Sequence, residues 1–181
     1  ASALTSIYDD TNNLVSGAQV IPERMRMQLL ATNEGHPVIG VESDGVKYEY
    51  DYDPTGEYAA SHYTKMFGTS KWSDTANAKP ITDLINARKS LEKIGRTARY
   101  ALMTTTTFNY LLENEQVKQC ILAQNQNANI LLDDETVTAI IERKTKLTIV
   151  IYDKMYADTD GTEKHFYPDG KVTLLPEGAL G

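Results

Sequence analysis

At Pro37 the apolar spacing of this chain changes from helical steps to steps of two, and that change limits the fold more than any other single feature. Before it, Leu14, Ala18, Ile21, Met25 and Leu29 recur every three or four residues and share one helical face. Asp9, Asp10 and Thr11 offer N-caps, Gly17 and Pro22 predict a kink or break, and Asn33 and Gly35 end the helix ahead of Pro37. After it, Val38–Val41 and Val46–Tyr52 flank Ser43-Asp44-Gly45, which reads as a hairpin. Val46, Tyr48, Tyr50 and Tyr52 fall on one face of the second strand, and Lys47, Glu49 and Asp51 on the other. That alternation predicts a sheet with one wet side.

Residues 53–77 show no periodicity and read as a connector. Pro80 then opens a helix with a stripe of Ile81, Leu84, Ile85, Leu91 and Ile94, ended by Gly95. Tyr100–Met103 reads as a buried strand. Thr105 or Thr106 caps a helix bearing Phe108, Leu111 and Leu112 that ends at Asn114, and a further helical segment carries Val117, Ile121 and Leu122. Gln124–Asn129 is a polar, low-complexity loop. Asp133 or Asp134 caps a helix whose buried face is Val137, Ile140 and Ile141, with Arg143, Lys144 and Lys146 toward its C-terminal end. Leu147–Tyr152 reads as a strand. Asp160-Gly161 and Asp169-Gly170 read as hairpin turns of a closing antiparallel meander that runs through His165-Phe166-Tyr167 to Lys171–Leu175. With no regular β-α-β alternation, the class is α+β.

Several function classes fall away on composition. A formal net charge of −7 over 181 residues is the wrong sign for gripping phosphate backbones. No apolar run approaches the roughly 18 residues of a membrane span, and the first residues do not read as a secretory signal. The single Cys120 excludes an internal disulfide framework and a cysteine-rich zinc site. These features point to a soluble, intracellular chain. Eleven tyrosines beside three phenylalanines and one tryptophan favour partly wet strands and interfaces over a dry core.

No reactive constellation emerges from the motifs. Gly68-Thr69-Ser70-Lys71 lacks the second glycine and the strand–helix setting of a phosphate loop. His36, His62 and His165 are far apart and offer no metal spacing. Asp158-Thr159-Asp160-Gly161-Thr162-Glu163 opens like a calcium loop but lacks the distal ligands, and reads as a turn. Glu49, Asp51 and Asp53 form an acidic row that reads as the solvated face of a strand. Cys120 reads as a buried structural thiol. No serine sits in a nucleophile elbow. No catalytic, cofactor-binding or metal-binding residue is therefore assigned, and no cofactor is expected.

The order of several local sequences resembles tailed-phage major capsid proteins of the HK97-like fold, of the major capsid protein E type. The resemblance begins at Glu23-Arg24-Met25-Arg26-Met27-Gln28-Leu29-Leu30 and passes through Tyr50-Asp51-Tyr52, Lys71-Trp72-Ser73-Asp74 and Pro80-Ile81-Thr82-Asp83-Leu84. It is clearest from Tyr167-Pro168-Asp169-Gly170 through Leu174-Leu175-Pro176-Glu177-Gly178-Ala179-Leu180-Gly181. It thus runs from about Ile21 to the end, and the order rather than any one motif carries it.

The resemblance implies a peripheral part over residues 1–71, holding a spine helix, the hairpin and the connector, and an axial domain over 72–181. It implies a non-enzymatic subunit of a bacteriophage or prophage icosahedral head. Its partners would be copies of itself in hexamers and pentamers, together with scaffold, portal or decoration proteins. It would bind neither nucleic acid tightly nor a membrane, and would reside in the virion after a period in the host cytoplasm. Relatives continue past Gly181 into the peripheral domain and begin with an extended arm and loop, so the chain is read as a fragment of a larger subunit. Rival readings are another phage particle component, such as a tail or head-completion protein, and a small hydrolase using the hairpin carboxylates.

Overall fold

The structure is a computed structural model that describes residues 20–43, 45–124, 133–158 and 161–177. It is α+β. The chain divides into two compact units, neither of them continuous in sequence: residues up to Tyr63 with Lys154–Tyr167, and Thr64–Asp153 with the residues from Pro168 onward.

In the first unit, helix α1 is described over residues 20–31 and includes Pro22; Leu14, Gly17 and Ala18, on the far side of the expected kink, lie outside the described residues. The helix ends in a tight turn in which Asn33 and His36 exchange backbone bonds of 2.9 and 3.0 Å. Gly35 in that turn has φ 93°, and a Cβ there would lie 2.6 Å from the Tyr63 Cβ, so glycine is required by both conformation and space. Strands β1 (Val38–Ser43) and β2 (Val46–Asp51) pair antiparallel from Val38↔Asp51 to Ser43↔Val46, with Gly45 at φ 73° in the turn. The connector contains a helix that periodicity misses, α2 (Glu57–His62), too short to show a pattern. Late in the chain, β5 (Met155–Ala157) and β6 (Glu163–His165) form a second hairpin. Within this unit Lys154 pairs with Glu23 of α1 at 2.8 Å, and the Arg24 guanidinium lies 5.0 Å above the Tyr156 ring, which packs on buried Phe166.

The second unit is built on a mixed sheet of β3 (Ala98–Met103), β4 (Thr148–Ile151) and β7 (Thr173–Pro176), in the order β4-β3-β7. The central β3 runs parallel to β4 and antiparallel to β7, with a register shift between Ala98 and Tyr100. Ala101, Leu102 and Met103 are consecutive and all buried, as expected of a strand covered on both faces. Helices α3 (Pro80–Lys93), α4 (Thr105–Glu113), α5 (Glu115–Gln124) and α6 (Asp134–Thr145) supply Ile81, Leu84, Phe108, Leu111, Val117, Ile121, Val137, Ile140 and Ile141 to one core with Met103 and Leu147. The polar segment 125–129 lies outside the described residues.

Polar side chains tie the ends of these helices together. The Asn114 amide donates to the carbonyls of Thr75 and Ala78, at 3.0 Å each, and its oxygen accepts the Val117 amide hydrogen at 3.2 Å. Lys79, ahead of α3, makes no side-chain cap, and Gln116 of α5 accepts from Ile81 N–H at 3.0 Å in its place. Asp133 caps α6 as expected, and its carboxyl lies below the usual range because Thr136 donates to it.

Three expectations need correction. The cap of α4 is Thr104, ahead of both Thr105 and Thr106, and Thr105 instead binds Asp153 through its amide and hydroxyl. Ile94 falls beyond the end of α3 and is exposed. Asp169-Gly170 is not a hairpin turn: β6 pairs with β5 and β7 with β3, so there is no closing meander. The turn instead docks on α4, where Thr104 donates to Asp169 and Gly170 N–H donates to Thr107 Oγ1 at 2.9 Å.

Candidate interaction surface

The residues with chemical potential stay dispersed. Among the described residues, no group of three or more His, Cys, Asp or Glu could hold a metal ion, and no helix is long and apolar enough to cross a membrane. Gly68-Thr69-Ser70 is an exposed 3-10 turn followed by exposed Lys71. Asp158 and Glu163 flank the β5–β6 turn, closed by Gly161 N–H to Asp158 O at 2.9 Å; residues 159 and 160 lie outside the described residues. Cys120 is half-buried against the core rather than fully buried, because it lies at the margin of the α5 face. His62 stacks on Tyr58, and His165 is exposed on β6.

The acidic row is broken up by the backbone. Asp51 accepts the Asp53 amide hydrogen at 2.8 Å, and Asp53 is no part of a solvated face. It is 5% exposed and accepts from Tyr58 and Ala59 N–H at 3.1 and 2.8 Å, closing the first turn of α2. Burial pushes the Asp53 carboxyl up, but the Ala59 and Tyr58 amides and the nearby His36 outweigh it and hold the group below the usual carboxylate range. His36 Nδ1 also lies 3.3 Å from the Asp53 carbonyl. These carboxylates fix a turn and do not converge on a shared opening.

What the hairpin presents is an open aromatic strand. Both faces of β2 are exposed, contrary to the expected one wet side: Val46 is 50%, Tyr48 49%, Tyr50 60% and Tyr52 65% exposed. Alternation sorts residues between faces without saying whether either face is covered. Across the ladder, Ile39 is buried and Val41 half-buried, so cover stops at β1. A contiguous row of half-exposed tyrosines is the kind of apolar surface that monomers rarely leave open. Tyr58 extends the exposed set, and Tyr48, Tyr50, Tyr52, Tyr58 and Tyr63 all belong to the first unit.

The two edges of the hairpin differ. Tyr52 N–H bonds the Pro37 carbonyl at 3.1 Å, so the even-numbered residues of β2 face β1, while the amides and carbonyls of Lys47, Glu49 and Asp51 point outward. On the opposite edge Gly40 points outward, and there Gln28 of α1 satisfies it twice, accepting from Gly40 N–H at 3.0 Å and donating to Gly40 O at 3.4 Å. Sequence reading missed this clasp, and Gly40 is no trace of it, since a Cβ at that position would meet nothing within 4 Å.

Comparison with known proteins gives this surface a setting. The chain resembles the prophage capsid protein assigned in E. coli CFT073 at 18% identity and a TM-score of 0.53, over 87% of this chain and 44% of that one. It also resembles a phage-related protein of Bordetella bronchiseptica RB50 at 13% identity and a TM-score of 0.45, over 60% of this chain and 33% of that one. The chain thus spans less than half of either. No curated protein matches. The family model for phage major capsid protein E matches residues 2–181. The chain therefore belongs to the phage major capsid protein E family.

Proposed function

We propose that the chain is part of the major structural subunit of a phage or prophage icosahedral head with the HK97-like fold, acting by self-association and not by catalysis. The match over residues 2–181 carries this reading, and the open tyrosine strand supports it, because a shell subunit needs surfaces that other copies cover. Residues 1–71, with α1, the β1–β2 hairpin and the connector, serve as the peripheral part, and residues 72–181, with the mixed sheet, as the axial domain directed to the capsomer centre. Copies assemble into hexamers and pentamers, with scaffold, portal or decoration proteins as further partners, in the host cytoplasm before residence in the virion. The net charge of −7 suits a wall that encloses DNA without gripping it.

Sedimentation and negative-stain electron microscopy of the full-length protein, expressed alone and with its scaffold, test the proposal. Capsomers or closed shells are expected; a protein that stays monomeric under both conditions rejects it.

A further inference from the structure

We infer that the first turn of α4 is a latch. It holds both feet of the segment that leaves the second unit after Asp153 and returns at Pro168, and the two feet open together. Every group of the latch belongs to the second unit, and the latch stands whether or not the chain builds a head.

Both crossing points are tied to the same helix end. On the way out, Tyr152 N–H donates to the Met103 carbonyl at 2.9 Å, one residue ahead of the α4 cap. Asp153 then accepts from the Thr105 amide at 2.8 Å and from the Thr105 hydroxyl. On the return, Asp169 accepts from the Thr104 hydroxyl, and Gly170 N–H donates to Thr107 Oγ1 at 2.9 Å. Thr104 is the cap of α4, and Thr105 and Thr107 are its first and third residues. Between the feet, Phe166 N–H donates to the Lys154 carbonyl at 3.1 Å and β5 pairs with β6, so the two arms of the excursion are also joined to each other.

Counting protons gives the return foot a direction. A carboxylate only accepts, and a backbone amide only donates. The Thr104 hydroxyl proton goes to Asp169, so across the 3.1 Å between the two threonine oxygens Thr107 is the donor. The bonds therefore run one way, from Gly170 N–H to Thr107, from Thr107 to Thr104, and from Thr104 to Asp169. Asp169 and Gly170 are neighbours in sequence, so the run closes a ring. Each hydroxyl polarises the next, which strengthens the set and makes its members fail together. Thr104 and Thr107 are 0% and 2% exposed, so a bond lost between them is not replaced by water.

The outgoing foot depends on that ring. Thr105 and Asp153 are exposed, where water competes for their bonds. The Thr105 amide directly follows Thr104, so the ring that fixes Thr104 also aims this amide at Asp153. With the latch open, β5–β6 keeps its ties to α1 through Lys154–Glu23 and Arg24–Tyr156, and Met103 and Leu111 keep their place in the core. Opening thus frees the two crossing points as one local event and leaves each unit folded.

Hydrogen exchange of the full-length protein, read at single amides, tests the latch. Thr107→Val deletes the middle hydroxyl and keeps the shape of the side chain. Gly170 N–H and Thr105 N–H are expected to exchange faster together, each by roughly tenfold for one buried bond. Gly40 N–H in the first unit and Lys146 N–H in the second should keep their rates. Thr107→Ser, which retains the hydroxyl, should leave both latch amides near their starting rates. Asp153 is exposed, so Asp153→Ala probes the coupling from the other foot without disturbing the core, and it should quicken Gly170 N–H as well. Gly170 N–H quickening alone in Thr107→Val, or staying unchanged in Asp153→Ala, shows two independent anchors and overturns the latch. Thr107→Ser exchanging as fast as Thr107→Val, or Lys146 N–H quickening equally in both Thr107→Val and Asp153→Ala, also overturns it.

Discussion

Replacing Asn114 by alanine removes a side chain that is fully buried and holds three backbone groups. The Thr75 carbonyl keeps its bond from Glu115 N–H, so it loses least. The Ala78 carbonyl and the Val117 amide sit at buried positions and lose the Asn114 contact. An unsatisfied buried group costs about 1–3 kcal/mol, which puts the total at about 3–5 kcal/mol. That is a large part of the 5–15 kcal/mol that holds a typical domain together. Trp72, the one tryptophan of the chain, lies in the same unit and donates to Asp83 at 2.9 Å, so its fluorescence reports unfolding there. With a urea slope of about 2 kcal/mol per molar, the midpoint should fall by roughly 1.5–2.5 M. Asn114→Asp keeps the shape but sets a carboxylate against two carbonyl oxygens. It should cost as much at neutral pH and less in acid. An alanine variant whose midpoint moves by less than about 0.3 M at unchanged slope refutes the assignment of Asn114 as the joint between α4, α5 and the segment before α3.

Three further outcomes follow from the first unit. Gly35→Ala should open the α1–β1 turn to proteolysis far more than Gly45→Ala: both have positive φ, but only at Gly35 does the new Cβ meet the Tyr63 and Ala59 side chains. The Asp53 carboxyl is held below its ordinary value of 3.8, so its contribution is complete above that pH and lost as pH falls through the depressed value. Asp53→Asn should flatten that part of the acid-unfolding curve of α2, followed by amide chemical shifts. Gln28→Ala removes two bonds from the Gly40 edge, and at about 0.5–1.5 kcal/mol each Gly40 amide exchange should quicken by roughly tenfold.

Much of the second unit was legible in the sequence because its elements are long and amphipathic. The Pro80 start, the Val137, Ile140 and Ile141 face and the Asp133 cap stand where spacing and capping chemistry put them. Tyr100–Met103 reads as a buried strand because a strand covered on both faces has no alternation. What escaped detection depends on distant contacts. Six residues are too few for α2 to show a period, and its capping group, Asp53, looks from the sequence like one more carboxylate of an acidic strand. The β5–β6 hairpin packs with α1, more than 120 residues earlier, through Glu23, Arg24, Lys154 and Tyr156, and no local pattern announces such a return. The tyrosine row was visible as a pattern, but its exposure was not, since burial is decided by what packs on the strand.

A cryo-electron microscopy reconstruction of particles assembled from the full-length protein tests the head assignment most directly. A closed icosahedral shell, with the mixed sheet of β3, β4 and β7 near the capsomer axes and the β1–β2 hairpin at capsomer margins, is the expected result. A ring or tube of fixed, non-icosahedral symmetry contradicts it.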